Sequence, residues 1–465
     1  MITYLTLSPH PPLIVPAIGG RSLKDVENTV LGMQEMAQAL VASQPEIVLF
    51  LTPHGNVFSD CVTCLGSPEL YGDFGRFGYG EIAFNYNNEL NFIQKIREKA
   101  ELEDIDFIVI NEEIAERNKL NRELDHGILV PLHYLKEAGL ADDLPIVPIS
   151  IGLLPTLLLY KFGLLIQKVA KEFGKRVAIV ASGDMSHRLK DDGPYSFHPD
   201  GAKFDNLIKE ALANKEIDKI VNLDSSLRDN AGECAYPSIV IMLGCMDGYD
   251  FKSQVYSYEG PFGVGYLTAG FELTTSKDSY LKEMQREIEA GLLVKRKNES
   301  KPVRWARLVL ENYVRNGIKP SLPAELQELK GEKGATFVTL KKGGQLRGCI
   351  GTILPVHSNL AEEIASNAVS SATRDSRFSP VKVNELTDLT YSVDILSAPE
   401  ECKQDELDSE EYGVIVTKGN RRGLLLPNLE GVDTVEDQLA IALEKAGISP
   451  DEDYRIERFK VDRYY

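Results

Sequence analysis

The chain predicts two domains of different class: an α/β unit with a mainly parallel sheet covered by helices on both faces, followed by an α+β unit. Three observations carry this. At 465 residues the chain exceeds what one hydrophobic core usually supports. Up to about residue 275, short aliphatic runs alternate with amphipathic helical stretches, as parallel strands joined by crossover helices require. From 276 to 300 the sequence turns polar and charged, and Pro302 closes it against a continuing helix. The expected division is therefore 1–275, a linker over 276–300, and 301–465.

In the first part, ITYLTL, EIVLFLT, DFIVIN, LPIVPISIG and RVAIVASGD read as buried strands, with helices near 22–44, 86–100, 156–174 and 201–214. QVYSYEG and VGYLTAGFEL, joined by a short Gly/Pro turn, read as an antiparallel addition. The second part starts with the helix VRWARLVLENYVRNG, where Trp305, Leu308, Val309 and Tyr313 share a face and Gly317 ends it. ATFVTLKKGGQLRGCIGTI is a strand–turn–strand about Gly343-Gly344. A helix over NLAEEIASNAVSSAT, two strands and a final helix over TVEDQLAIALEKAG complete it. Strands and helices here do not alternate strictly, hence α+β.

Composition excludes several classes. Hydrophobic residues at 43% and charged residues at 26% describe an ordinary globular chain. Six cysteines are too sparse for a disulfide scaffold, and Cys61-x-x-Cys64 lacks the second pair of a structural zinc site. No basic stretch precedes the apolar residues of MITYLTLSPH, and no apolar run approaches the ~20 residues of a membrane span, so the expectation is a cytoplasmic protein without a membrane partner. A net charge of −19 repels nucleic acid, and Lys295-Arg296-Lys297 and Lys341-Lys342 read as solvated loops rather than nucleic-acid patches.

The seven histidines carry the chemistry. His10 in SPHPP, His54 in TPHG and His187 in SGDMSH each follow an apolar run, and the carboxyl ends of strands are where open α/β sheets place their sites. With Glu233 in NAGECAYPSIVIML, His10 and His54 form a two-imidazole, one-carboxylate set. Such a set binds Fe(II), or another divalent or redox metal, and leaves positions open for a small-molecule substrate and dioxygen. His187 is the candidate for moving protons, because an imidazole titrates near neutrality. Structural alternatives stand beside these: a strand-end histidine also serves as a hydrogen-bonded scaffold residue, His126 suits the cap of a helix beginning at Gly127, and Glu233 suits the first turn of the apolar helix after it. His133 and His198 read as structural or surface residues and His357 as exposed.

In the second part, Cys349 lies between glycines in LRGCIG, and Arg347 beside it is placed to raise its thiolate fraction. Arg374, Asp375 and Arg377 form a second charged group, and Arg421 and Arg422 a third. Arg347, Cys349, Asp375 and Arg377 mark a candidate second-domain pocket. The alternative is a buried small cysteine with arginines that simply pair with acids.

SPHPP, TPHG, DHG-x-x-VPL (Asp125 to Leu132), SGDMSH and NAGE, in this order over about residues 1–272, resemble the LigB-like family of class III extradiol dioxygenases and its relative, the MEMO family. The resemblance implies metal binding by His10, His54 and Glu233, proton transfer at His187 and a substrate-side catalytic role for His126. MEMO-like members use a cysteine in this region of the pocket, which makes Cys234 an alternative ligand and implies softer metals and one-electron chemistry. LRGCIG, DSRFSP and RGLLLP, within about residues 300–465, resemble the AMMECR family, whose reaction is not established. The fused pair implies a radical SAM protein as partner, since this chain lacks the C-x-x-x-C-x-x-C run that holds such a cluster. Two readings follow, a metal-dependent oxidoreductase acting on a small aromatic or hydroxylated substrate, or a metal- or peptide-binding scaffold without turnover. Oligomerisation is left open.

Overall fold

Among the described residues the N-terminal part has ten strands, most of them runs rich in Val, Ile and Leu: β1 (Ile2–Ser8), β2 (Ile47–Thr52), β3 (Val62–Leu65), the hairpin β4 (Glu69–Phe74) and β5 (Tyr79–Asn87), β6 (Phe107–Ile110), β7 (Ile146–Ser150), β8 (Val177–Ser182), β9 (Tyr249–Glu259) and β10 (Tyr266–Ser276). The computed structural model describes residues 1–193, 195–429 and 431–465, in two units, Met1–Gln285 and Arg286–Tyr465. In the first unit, eight strands make one sheet in the order β6-β3-β7-β2-β8-β1-β10-β9. Its middle, β7-β2-β8-β1, is parallel. The junctions β3–β7, β1–β10 and β10–β9 are antiparallel.

Both faces of the central strands β7, β2 and β8 are buried, which explains why they read as nearly unbroken apolar runs. Ile47, Leu49 and Leu51 of β2 pack into one core with the helices Leu90–Leu102, Thr156–Phe173 and Tyr236–Cys245. Val48 and Phe50 face the other core, with the helices Glu27–Ala42 and His126–Glu137. Strand β8 lies between β2 and β1, with Ala181 level with both Leu51 and Leu7. The segments leaving these three strands, which carry His54, His187 and His10, therefore start side by side at one edge of the sheet.

The helices Thr156–Phe173 and Tyr236–Cys245 cross in backbone contact: a Cβ on Gly163 would lie 1.9 Å from the Ile241 carbonyl oxygen, and one on Gly244 would lie 2.1 Å from that of Tyr160. Gly163→Ala therefore forces the helices apart, at an expected cost of about 3 kcal/mol. The measurement is a urea transition, expected to show a lower midpoint and an unchanged slope. An unchanged midpoint would mean that the crossing yields without strain.

In the second unit, β11 (Ala335–Lys342), β12 (Gln345–Gly351), β13 (Leu389–Leu396), β14 (Glu400–Glu401), β15 (Gly413–Lys418), β16 (Arg421–Leu425), β17 (Arg455–Phe459) and β18 (Val461–Tyr464) form two four-stranded sheets, β12-β11-β13-β18 and β14-β17-β15-β16. Gly343 and Gly344 make the β11–β12 turn with φ of 57° and 86°, a conformation that favours glycine. Helices Lys301–Asn316 and Leu360–Thr373 cover one face of the first sheet, and helix Val435–Ala446 packs on the second. Where the sequence suggested two strands between Thr373 and the final helix there are four, and β17 and β18 follow that helix. The stretch read as a linker is helical over Tyr280–Lys297, and the division between the units falls inside it. Among the described residues, no helix is long and apolar enough to cross a membrane.

Candidate metal centre

Leaving β1, the chain turns at Pro9 and brings His10 under the end of β8. The His10 N–H donates to Asp184 Oδ1 at 2.9 Å, and its Nδ1 lies 2.9 Å from Ser182 Oγ. These two contacts fix the ring with Nε2 pointing toward His54, whose Nε2 is 2.8 Å away. His54 follows β2, and its N–H donates to Thr52 Oγ1 at 3.2 Å. Thr52 in turn donates to Asp125 Oδ1 at 2.6 Å, and Asp125 caps the helix His126–Glu137 by accepting from the Gly127 N–H at 2.8 Å. The cap is thus Asp125, not His126, and His126 as first residue of the helix is free to face the cluster.

The three rings meet closely. Centroids are 4.6 Å apart for His10 and His54, 4.3 Å for His54 and His126, and 5.3 Å for His10 and His126. One ring nitrogen from each lies within 4.8 Å of the others. Loss of water disfavours a charge on every ring. Burial, then His54 and His187, push His10 well below its ordinary value, and burial with the neighbouring His10, His54 and Arg76 holds His126 down at about 3. His54 is also lowered by burial, against the opposing pull of Asp184. The cluster therefore presents neutral imidazoles, the protonation state that binds a cation.

Around it stand Asp184, Cys234 and His187. Asp184 Oδ2 is 3.8 Å and Cys234 Sγ also 3.8 Å from His10 Nε2. The Asp184 N–H donates to Cys234 Sγ at 3.2 Å, which ties the two segments together. Burial raises both groups, Asp184 to about 6 and the Cys234 thiol well above its ordinary value. His187 stacks on Tyr195 with centroids 5.8 Å apart and carries a charge coupling to Asp184 and His54. Phe77 makes an edge contact with His126.

Glu233, expected as the third ligand, lies outside the group of three. Its Oε2 accepts from the Tyr236 N–H at 2.6 Å at the start of helix Tyr236–Cys245, the helix-terminus role open to it from sequence. His126 takes its place in the geometry. Asp184 and Ser182 were not singled out from sequence, although both lie at the end of a strand already marked by His187.

In the second unit, the Arg347 guanidinium is engaged by a carboxylate. Lys341 pairs with Leu346 and Leu340 with Gly348, so Arg347 is the extra residue of a β-bulge and turns away. Its guanidinium grips Glu385 through two contacts of 2.9 Å. Cys349 donates its N–H to Asp375 Oδ2 at 2.8 Å, and Arg377 holds the same carboxylate at 2.9 and 2.7 Å. Burial opposes ionisation of Glu385, but Arg347, the Lys382 N–H and Lys342 outweigh it and hold the carboxyl down at about 2. A carboxyl lowered on folding contributes stability above its unfolded value near 4.5, and that stability is lost as pH falls toward 2. Glu385→Gln is expected to cost about 2 kcal/mol at pH 7, discounted for partial exposure, and to flatten the loss of stability between pH 5 and 2 in acid titrations followed by circular dichroism. A variant as acid-sensitive as the parent would remove Glu385 from this role.

Comparison with known proteins agrees with this architecture. The family described as the catalytic LigB subunit of aromatic ring-opening dioxygenase matches residues 4–269, and the AMMECR1 family matches 303–464. Protein CA_C1420 of Clostridium acetobutylicum is 40% identical over 461 residues, 98% of each chain. A protein of Thermotoga maritima is 58% identical over 169 residues, which is 35% of this chain and 95% of that protein. The crystal structure of uncharacterized protein PH0010 from Pyrococcus horikoshii, 34% identical, covers 35% of this chain and 88% of its own with a TM-score of 0.33. With residues 4–269 matched by one family and nearly its whole length by the clostridial protein, the chain belongs to the LigB family and carries an AMMECR1 domain at its C-terminus.

Proposed function

We propose that the N-terminal unit is a metal-dependent oxidoreductase of the ring-opening dioxygenase kind, acting on a small aromatic or hydroxylated substrate. The observation that carries this reading is the convergence of three neutral, water-poor imidazoles at the carboxyl edge of a parallel sheet. Their chemistry fits a first-row divalent metal, with Fe(II) the choice the family description supports. His10 and His54 hold the cation and His126 completes the set, with Cys234 as a neighbouring soft donor. Glu233 stands outside this set, with its Oε2 accepting from the Tyr236 N–H. Ser182 Oγ, accepting from His10 Nδ1–H, keeps the Nε2 lone pair turned inward.

A bound Fe(II) with open positions supplies the place where substrate hydroxyls and dioxygen meet. The chain does the rest. His187 takes the proton released by a substrate hydroxyl, and the exposed rings of Phe77 and Tyr195 suit the faces of a flat substrate. A radical SAM protein is the proposed partner, supported by the resemblance of the fused pair alone.

The test is anaerobic purification, metal analysis, Fe(II) loading and dioxygen uptake with catechols. Stoichiometric metal and catechol-dependent uptake are expected. His126→Ala should lose the metal while Glu233→Gln keeps it; the reverse result would restore the carboxylate set. A second reading, metal binding without turnover, is favoured by the position of Glu233, since the carboxylate of a two-histidine, one-carboxylate centre is engaged elsewhere. Metal without dioxygen uptake for any catechol tried would support that scaffold.

A further inference from the structure

The sheet β12-β11-β13-β18 has two unlike faces. One carries Val338, Leu340, Tyr391 and Val393 into the core beneath its helices. On the other, strand pairing sets Cys349 opposite Thr339, Thr339 opposite Ser392, and Asp394 opposite Arg463. This second face is a row of short polar side chains ending in an ion pair. It forms the floor of a cavity of about 630 Å³ walled by Leu292, Val294, Leu346, Leu426 and Leu429. Cys349, Thr339 and Ser392 are too small to fill the space between sheet and leucines, so the opening is a direct result of the sequence of these strands. Its size is that of a small-molecule site, and an apolar wall with a few polar groups is the usual composition of one.

The cavity's own groups are unbalanced. Five basic side chains and two carboxylates line it, in a chain whose net charge is −19. Both carboxylates are taken: Arg463 holds Asp394 at 2.8 and 3.1 Å, and Arg307 holds Glu299 at 2.8 to 3.0 Å. Arg377 is engaged by Asp375, and Arg296 by Glu311. Lys295 and Lys341 also line the cavity, and among the described residues neither ammonium has a side-chain partner. Two unpaired ammonium groups and a leucine wall call for an occupant that is negative at one end and apolar along the rest.

We propose that this cavity binds a small organic anion with an apolar or aromatic body, its charge toward Lys341 and Lys295 and its body against the leucines over the Cys349–Thr339–Ser392 floor. The site is built from residues of the second unit alone, and the proposal stands whether or not the N-terminal unit turns over a substrate. Cys349, half-buried with its sulfur accepting from Thr339 Oγ1 at 3.2 Å, serves as the built-in reporter.

The test uses the full chain and two dyes of similar shape, anilinonaphthalene sulfonate and the uncharged N-phenylnaphthylamine. With the sulfonate at ten times its Kd, alkylation of Cys349 by iodoacetamide, followed by peptide mass spectrometry, should slow about tenfold while Cys402 reacts as before. Lys341→Met, an exposed position of matched length, should weaken the sulfonate about tenfold and leave the uncharged dye unchanged. Ser392→Phe, which fills the floor, should weaken both dyes, and should do so in a chain with parental circular dichroism. Unprotected Cys349 under saturating sulfonate overturns the proposal, and so does a Lys341→Met chain that binds both dyes as the parent does or loses both equally.

Discussion

His10→Ala protein is expected to bind Fe(II) at least about 100-fold more weakly than the parent, with its fold intact. The expectation rests on what His10 touches. Its ring contacts His54, Cys234 and Asp184 together, and its backbone N–H, which the substitution leaves in place, donates to Asp184. Removing the ring therefore takes away a donor without releasing the Asp184 segment. Ser182→Ala, which removes only the group that orients His10 Nδ1, should cost about tenfold, because partners behind a ligand commonly contribute 10–100-fold to affinity. Anaerobic titration with a competing chelator, beside circular dichroism, measures both. A His10→Ala chain that holds Fe(II) as well as Ser182→Ala does would mean that the cation sits elsewhere.

How far the sequence reveals this site depends on which forces place each residue. His10, His54 and His187 were legible because each ends a strand buried on both faces, and such strands show as unbroken apolar runs. His126 was legible as a residue but not as a member of the cluster. Its place depends on Thr52 bonding to Asp125 across a separation of 73 residues, a tertiary contact without any local pattern. Glu233 carried two compatible readings, and its bond from the Tyr236 N–H realises the helix-terminus one, a tertiary detail the sequence does not display. Arg347 is similar, since the bulge that turns it to Glu385 is set by register with β11.

The missed strands have their own reasons. In β4 the alternation is real, with Leu70, Gly72 and Phe74 buried between more exposed neighbours, but a glycine in the middle weakens the signal. β17 and β18 are short and charged, and Arg463 reads as a surface residue until Asp394 is seen opposite it. The cavity was invisible for the same reason: Thr339, Ser392 and Cys349 come from three strands, and only their register makes them neighbours.

His187→Ala is expected to keep stoichiometric metal and to lose turnover by about 100-fold or more, the usual contribution of a positioned proton-transfer group. Geometry separates His187 from the ligands. It lies outside the three rings whose nitrogens converge, yet its charge is felt at His10, His54 and Asp184, so a proton arriving on it changes the field at the cluster without displacing a donor. Tyr195 stacks parallel on the ring, at an interplanar angle of 8°, and fixes its orientation from the open side. Tyr195→Ala should therefore lower turnover less than His187→Ala does, and with unchanged metal content. The readouts are metal analysis and catechol-dependent dioxygen uptake on the same preparations. Loss of metal from His187→Ala would make it a ligand and move the proton role to Asp184, whose Oδ2 lies 3.8 Å from His10 Nε2.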